Sequence, residues 1–225
     1  MSSVSLVTLN VQVSEHLERA SAFLKKQQAD VVCLQELAEG DVNLYKEAIG
    51  AIEHFYAPMV RETRRGVASV VGIGIFSRLP MRNTQALCYD GDMARLPETD
   101  SSKPETFGKK NQVLIVADID RDGTPFKICN THFTWTFDGQ ADDRQRRDMQ
   151  AMLAAVLPMG ELVFCGDFNA PRGWEMFTEL TKHFKDNVPP QYITSLDRKL
   201  HRAGHLGPAR KQLCQSVCAV RGEIV

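Results

Sequence analysis

The chain has 225 residues, 43% of them hydrophobic and 24% charged, with a formal net charge of −1. That length suits a domain with a substantial core, and the composition excludes a disordered tract or a bundle of membrane spans. A near-neutral balance excludes a uniformly basic surface, leaving only a local cleft as a seat for nucleic acid. With no repeat or linker-like tract, residues 1–225 are expected to form a single domain. No signal-like start or bilayer-length apolar run is present, so a cytoplasmic monomer without a transmembrane segment is expected.

Residues 4–10, VSLVTLN, alternate apolar and small polar side chains and predict a strand that closes at Asn10. Ser14 stands where an N-cap would, ahead of a helix with Leu17, Ala20, Ser21 and Leu24 on one face. The apolar run at residues 31–34 reads as a strand covered on both faces, and it stops at Gln35 and Glu36. Residues 41–55 place Leu44, Ala48 and Ile52 at helical spacing. After Arg64 and Arg65, the stretch VASVVGIGIFS predicts one or two strands ending before Pro80, with Gly72 and Gly74 suited to a bulge or close packing.

Residues 89–110 are polar and turn-rich and read as a long loop over a cleft. NQVLIVADID and FKICNTHF then form a hairpin about an Asp-Gly turn, the second strand ending at Thr131 and His132. Met149, Met152, Leu153 and Val156 follow the i, i+3, i+4, i+7 pattern of a helix packed on a sheet. LVFCGDFNAPRG is a strand running into Asp167 and Asn169, followed by a helix carrying Phe177, Leu180 and, at the same spacing, Phe184. Sheets packed together with helices outside fit this order better than one parallel doubly wound sheet.

Cys33, Cys129 and Cys165 lie in apolar runs and are expected to be buried thiols. Cys214 and Cys218 have no second pair at zinc-site spacing. Trp135, Phe137 and Trp174 are candidates for stacking on bases, although aromatics near strand ends more often serve packing.

Four apolar runs end at Asn10, Glu36, His132, and Asp167 with Asn169. A single polar residue closing a strand is ordinarily the start of a solvated loop. Four such endings meeting at one edge would instead collect two carboxylates, two amides and an imidazole. That set suits metal-assisted attack on phosphate, because Mg²⁺ takes oxygen ligands and keeps several waters. Glu36 is the natural ligand, Asp167 orients or deprotonates a water, and Asn169 donates to developing negative charge. His132 hydrogen-bonds a phosphate oxygen. Arg64, Arg65 and Arg172 are candidates for phosphate contacts, with solvated surface charges as the alternative.

Taken in order, LVTLNVQ, VVCLQEL, GIGIFSR, ICNTHF and above all FCGDFNAPRG resemble the motifs of the endonuclease/exonuclease/phosphatase superfamily, the deoxyribonuclease I-like metal-dependent phosphoesterases. The resemblance runs over residues 4–177. It implies an α/β fold, a four-layer sandwich of two packed mixed β-sheets with helices outside. It implies divalent-metal-dependent hydrolysis of phosphoesters, with Mg²⁺ or alternatively Mn²⁺ held by Asn10 and Glu36. His132, Asp167 and Asn169 are then catalytic, and Arg172 contacts substrate. Arg147 and Gln150 match the helix after the His motif and are expected to fix it beside the site. The substrate is a nucleic acid, a lipid headgroup or a small phosphate ester, with a phosphodiesterase or nuclease as the leading reading.

The sequence departs from that pattern after residue 173. The family's closing Asp-His pair is not found, and the tail GPARKQLCQSVCAVRGEIV is a weak candidate for a core strand. His201 and His205 are poor substitutes for the missing base, and Asp197 aligns only loosely. An atypical or truncated C-terminal end is expected, with impaired hydrolysis as its consequence. The alternative is a phosphate-ligand-binding protein that keeps the cleft without the chemistry.

Overall fold

The computed structural model describes residues 2–136, 139–192 and 219–221. The candidates Phe137, Asp197, His201, His205, Cys214 and Cys218 lie outside them. In chain order the elements are β1 (Leu6–Asn10), α1 (Leu17–Gln27), β2 (Val31–Ala38), α2 (Val42–Ile49), β3 (Glu53–Arg64), β4 (Val67–Ser77) and β5 (Met81–Asp90). There follow β6 (Glu98–Asp100), β7 (Gln112–Arg121), β8 (Thr124–His132), α3 (Asp143–Val156), β9 (Leu162–Asp167), α4 (Glu175–Thr181), β10 (Lys185–Asp186) and β11 (Ala219–Arg221).

The strands form two mixed sheets, ordered β1-β2-β4-β3-β6 and β10-β11-β9-β8-β7-β5. Alternation along β2 shows how the layers stack. Val31 and Cys33 face the core between the sheets, together with Ile73 and Ile75 of β4 and Val113, Ile115 and Ile128 of the second sheet. Val32 and Leu34 face the other way, onto Leu24 of α1 and Tyr45 and Ile49 of α2. On the far side, Leu114, Val116 and Phe164 pack against Met149, Met152, Leu153 and Val156 of α3 and Leu180 of α4. The expected four-layer sandwich is therefore present. Each large aliphatic or aromatic side chain buried in it contributes roughly 1.5–3 kcal/mol relative to exposure.

Each sheet holds a parallel pair that reaches the site, β1–β2 at the margin of the first sheet, which also pairs β3 and β6 in parallel, and β8–β9 within the second. In the first, β1 runs parallel to β2 with Asn10 opposite Gln35; in the second, β8 runs parallel to β9 with His132 opposite Asp167. Parallel neighbours run toward the same end of a sheet, so each pair brings two polar side chains together there, although β2, expected to stop at Gln35 and Glu36, continues through a bulge to Ala38. This topology explains why residues far apart in sequence share one edge.

Several local expectations change. Ser14 does not cap α1: His16 is the N-cap residue, and the Ser14 hydroxyl donates to Asp41 at 2.5 Å. Helix α2 ends at Gly50, where φ is +71°, and buries Val42, Tyr45 and Ile49. The stripe expected at Leu44 and Ile52 is instead 50% and 57% exposed. The stretch 67–77 is one long strand, and an added Cβ at Gly72 would sit 2.0 Å from the Ala57 carbonyl, so close strand packing explains that glycine. The tail does supply a strand, β11, which pairs with both β9 and β10. Buried Cys33, Cys129 and Cys165 are thiols, as expected. Among the described residues, no helix is long and apolar enough to cross a membrane.

Candidate functional site

Glu36 reaches the edge of the first sheet through a bulge. Leu34 pairs with Gly74 and Leu37 with Gly72, so Gln35 and Glu36 together face the single residue Ile73. An extra residue kinks a strand and re-aims its side chains. Here Glu36 takes φ = +49°, a left-handed conformation uncommon for a residue other than glycine. Gln35 is completely buried, whereas Glu36 is left partly exposed at the sheet end.

Beneath the edge, the Gln35 and Asn130 amides clamp the two sheets. Gln35 Nε2 donates to Asn130 Oδ1 at 2.7 Å and to Thr8 Oγ1 at 3.1 Å. Asn130 Nδ2 donates in turn to the carbonyls of Leu34 and Gly74 at 3.0 and 2.9 Å. Above this clamp, one amide nitrogen ties the charged ends together. Asn10 Nδ2 donates to Glu36 Oε1 at 3.1 Å and to Asp167 Oδ2 at 3.0 Å. Asn10 Oδ1 accepts from the Gln12 backbone N–H at 3.0 Å. In this orientation Asn10 is a donor to both carboxylates, and only the reversed amide would offer them an oxygen neighbour.

Asp167 closes β9 immediately after Gly166, whose φ is +152° and whose added Cβ would lie 2.2 Å from the Thr131 carbonyl. Only glycine lets β9 run this close to β8 at that point. The backbone N–H of Asn169 donates to Asp167 Oδ1 at 3.1 Å in an Asx turn, and Asn169 Nδ2 donates to the Phe133 carbonyl at 3.0 Å. Its φ of +46° is one that asparagine tolerates better than most residues. This turn after β9 fixes two candidate catalytic side chains.

Two cations border this acidic pair. Arg64 Nη2 donates to Glu36 Oε2 at 2.9 Å. Lys110 Nζ donates to the carbonyls of His132 and Phe133 at 3.0 and 3.4 Å. Burial lowers the Lys110 ammonium to about 8, against the opposing pull of Glu36 and Asp167. For His132, burial and the neighbouring Lys110 charge lower the imidazole to about 4, so it is neutral at neutral pH. Burial opposes ionisation of Glu36, but the charges of His132 and Arg64 and the Asn10 hydrogen bond outweigh it and hold the carboxyl at about 2. Because His132 is neutral above about 4, Arg64 and Asn10 sustain the Glu36 carboxylate at neutral pH.

Among the described residues, no three His, Cys, Asp or Glu side chains cluster as a metal cage. The donor set nevertheless suits a hard cation, which needs only one or two carboxylates besides water. Glu36 and Asp167 already share a single positive-ended donor, the Asn10 N–H₂ group.

The chain matches the Endonuclease/Exonuclease/phosphatase family over residues 7–211. It belongs to the endonuclease/exonuclease/phosphatase family. No curated protein matches its sequence closely enough to count as a relative. Solved structures similar to it include the family member from Bacteroides vulgatus, at 13% identity and TM-score 0.60, with 83% of this chain and 74% of that one covered. A β-hairpin deletion mutant of beta toxin from Staphylococcus aureus gives 13% identity and TM-score 0.64 over 98% of this chain and 87% of that one. Sphingomyelinase C from Streptomyces griseocarneus gives 16% and 0.62 over 96% and 84%. At these identities the likeness is one of fold.

Within this family member, the contacts bring together Asn10, Glu36, Asp167 and Asn169, and place His132 beside Asp167. Arg172 is employed elsewhere: it pairs with Asp186 at 2.6 Å and donates to the Val188 and Tyr192 carbonyls, tying the segment after α4 to the motif loop. Arg147 and Gln150 are exposed, and different residues of α3 fix the helix. Gln145 Nε2 donates to the Thr134 carbonyl at 2.9 Å and the Asn169 carbonyl at 3.4 Å, and buried Asp148 accepts from the Thr134 hydroxyl. Lys110 was hidden at the end of a polar loop, with no pattern to distinguish it from a surface lysine. Trp135, two residues past Phe133, is 45% exposed, while Trp174 is half-buried.

Proposed function

We propose that this chain is a divalent-metal-dependent phosphoester hydrolase, acting on a phosphodiester. The observation that supports it most is the meeting of Glu36 and Asp167, from different sheets, on the same Asn10 nitrogen. Glu36, with Asp167 at its side and the Asn10 amide turned to present its oxygen, would hold Mg²⁺ or Mn²⁺. When bound, the metal supplies Lewis-acid polarisation of the phosphoryl oxygen.

The remaining work falls to side chains of the chain itself. Asp167, held by the Asn10 and Asn169 N–H groups, orients the attacking water and draws on its proton. His132, neutral at working pH, hydrogen-bonds a phosphate oxygen without adding charge. Asn169 is fixed between Asp167 and the Phe133 carbonyl, so its dipole needs no reorganisation as negative charge grows on the phosphoryl oxygens. Lys110 adds positive potential on the same side.

The direct test is hydrolysis of bis-p-nitrophenyl phosphate with Mg²⁺ or Mn²⁺, alongside thermal shift on metal addition. Metal-dependent turnover that vanishes in Glu36→Ala and Asp167→Ala is expected. Metal binding without turnover would reject the enzyme in favour of a phosphate-ligand binder. A panel of single-stranded DNA, abasic DNA, sphingomyelin and inositol phosphates then separates nuclease, lipid and small-ester substrates.

A further inference from the structure

Arg64 stands at the end of β3, at the tip of the β3–β4 hairpin, and its guanidinium is shared between two carboxylates. Nη2 donates to Glu36 Oε2 at 2.9 Å, Nε to Glu62 Oε1 at 2.7 Å, and Nη1 lies 3.5 Å from the Gln12 carbonyl. The Arg64 and Glu36 side chains are 22% and 23% exposed, so the pair is open to exchange with solvent species. Arg65 next to it is 87% exposed and pairs with Glu15, as a surface charge does.

Three features make Arg64 more than a surface charge. First, the carboxylate expected to hold a metal already carries an internal cation on Oε2. Second, Glu62 grips the Nε side independently, so losing Glu36 would leave Arg64 paired and still at the site. Third, the Nη side that would be released is the planar fork that matches phosphate oxygens. The Nε and Nη donors of a guanidinium point in fixed, separate directions, so one partner can be kept in place while another is surrendered.

We propose that Arg64 is the counter-ion that Glu36 exchanges for the divalent metal, and that Arg64, retained by Glu62, then binds the substrate phosphate. This deepens the hydrolase reading and rests on it. The exchange also keeps the acidic edge neutralised before a metal arrives.

The experiment is calorimetric titration of the full chain with Mg²⁺ alone, and of the Mg²⁺-loaded chain with inorganic phosphate, for wild type, Arg64→Gln and Arg64→Lys. Arg64→Gln is expected to tighten Mg²⁺ binding about fivefold, the scale of one removed exposed ion pair. It is expected to weaken phosphate binding about tenfold, the scale of a lost charge-assisted hydrogen bond. Arg64→Lys, keeping charge without the fork, is expected to shift both in the same directions by less, and it serves if the glutamine variant does not fold. A residue that merely supports the hairpin would weaken both bindings together, so opposite signs are the signature. Unchanged or weaker Mg²⁺ binding, or unchanged phosphate binding, overturns the proposal. If the opposite shifts appear in a chain that hydrolyses no phosphodiester, the exchange stands and the hydrolase reading falls. If the wild type binds no Mg²⁺, both fall.

Discussion

Two asparagines bridge the same pair of sheets in opposite directions. Asn130, on the second sheet, reaches into the first and meets only neutral groups: the Leu34 and Gly74 carbonyls and the Gln35 amide. Asn10, on the first sheet, reaches the second and meets two carboxylates, Glu36 beside it and Asp167 across the gap. The same side chain thus does different work according to what it faces. A fully buried neutral bridge has no ready substitute and serves the fold, whereas an amide between two anions occupies a position that a cation would fill better.

The contrast is broken most sharply at the charged bridge. If Asp167 orients the attacking water as proposed, Asp167→Ala lowers phosphodiester turnover by about a thousandfold or more, at a cost of about 1 kcal/mol in unfolding free energy for the Asn10 and Asn169 N–H groups that lose their acceptor. Steady-state rates and urea unfolding on the same preparation check both halves. Asn130→Leu should behave in reverse. It takes one partner from the Gln35 amide and the side-chain donor from two buried carbonyls, so a loss of about 2–3 kcal/mol in urea unfolding is expected, with activity falling only as the sheets lose registry.

Asn10→Ala sharpens the distinction. Without metal the two carboxylates face each other with their shared donor gone, and a loss of about 1 kcal/mol is expected. Saturating Mg²⁺ should recover a larger share of stability for this variant than for Asn130→Leu, as read by thermal shift in EDTA and in Mg²⁺.

The smallest effect is expected far from the site, where Asp30 joins the Ser5 backbone N–H and hydroxyl to the Arg121 guanidinium. Burial opposes ionisation there, but the Ser5 hydrogen bonds and the Arg121 charge outweigh it, so the Asp30 carboxyl lies below its ordinary value. A carboxylate depressed in the folded state contributes stability that is fully present above its unfolded value, about 3.9, and lost as pH falls through the lower folded value. The stability gap between wild type and Asp30→Asn should therefore be flat from neutral pH to about 5 and shrink below about 4. A gap that persists unchanged at pH 2 would show that the carboxylate charge is irrelevant.

Strand ends were the legible part of this molecule. Apolar runs stopping at Asn10, Glu36, His132 and Asp167 mark positions that the parallel pairs then bring to one edge. Amphipathic spacing located α3 correctly because its buried face carries four large apolar side chains, Met149, Met152, Leu153 and Val156. The same reasoning misplaced the buried face of α2, because Tyr45 lies within the apolar stripe while Leu44 and Ile52 do not. On α3 the polar fixing residues, Gln145 and Asp148, face Thr134 and Asn169 from elsewhere in the chain, and helical spacing cannot reveal such partners. Lys110 escaped notice, and Arg64 could not be told from a solvated surface charge, for a related reason. Their roles come from carbonyls and carboxylates supplied by other strands, so each looks like an ordinary surface cation in its own segment.

Asn10 and Asp167 stand 157 residues apart in the chain, yet one hydrogen bond joins them across the inter-sheet gap. Whatever ion or phosphate settles there acts as a rivet through both halves of the sandwich, and it is lost whenever the halves separate. Occupancy must then pull the docked state down in free energy, by about 2.7 kcal/mol at a hundredfold excess over the dissociation constant. The protein's resistance to opening is in this sense set by its ligand supply, and slowed hydrogen exchange of the buried amide seam would register the ligand.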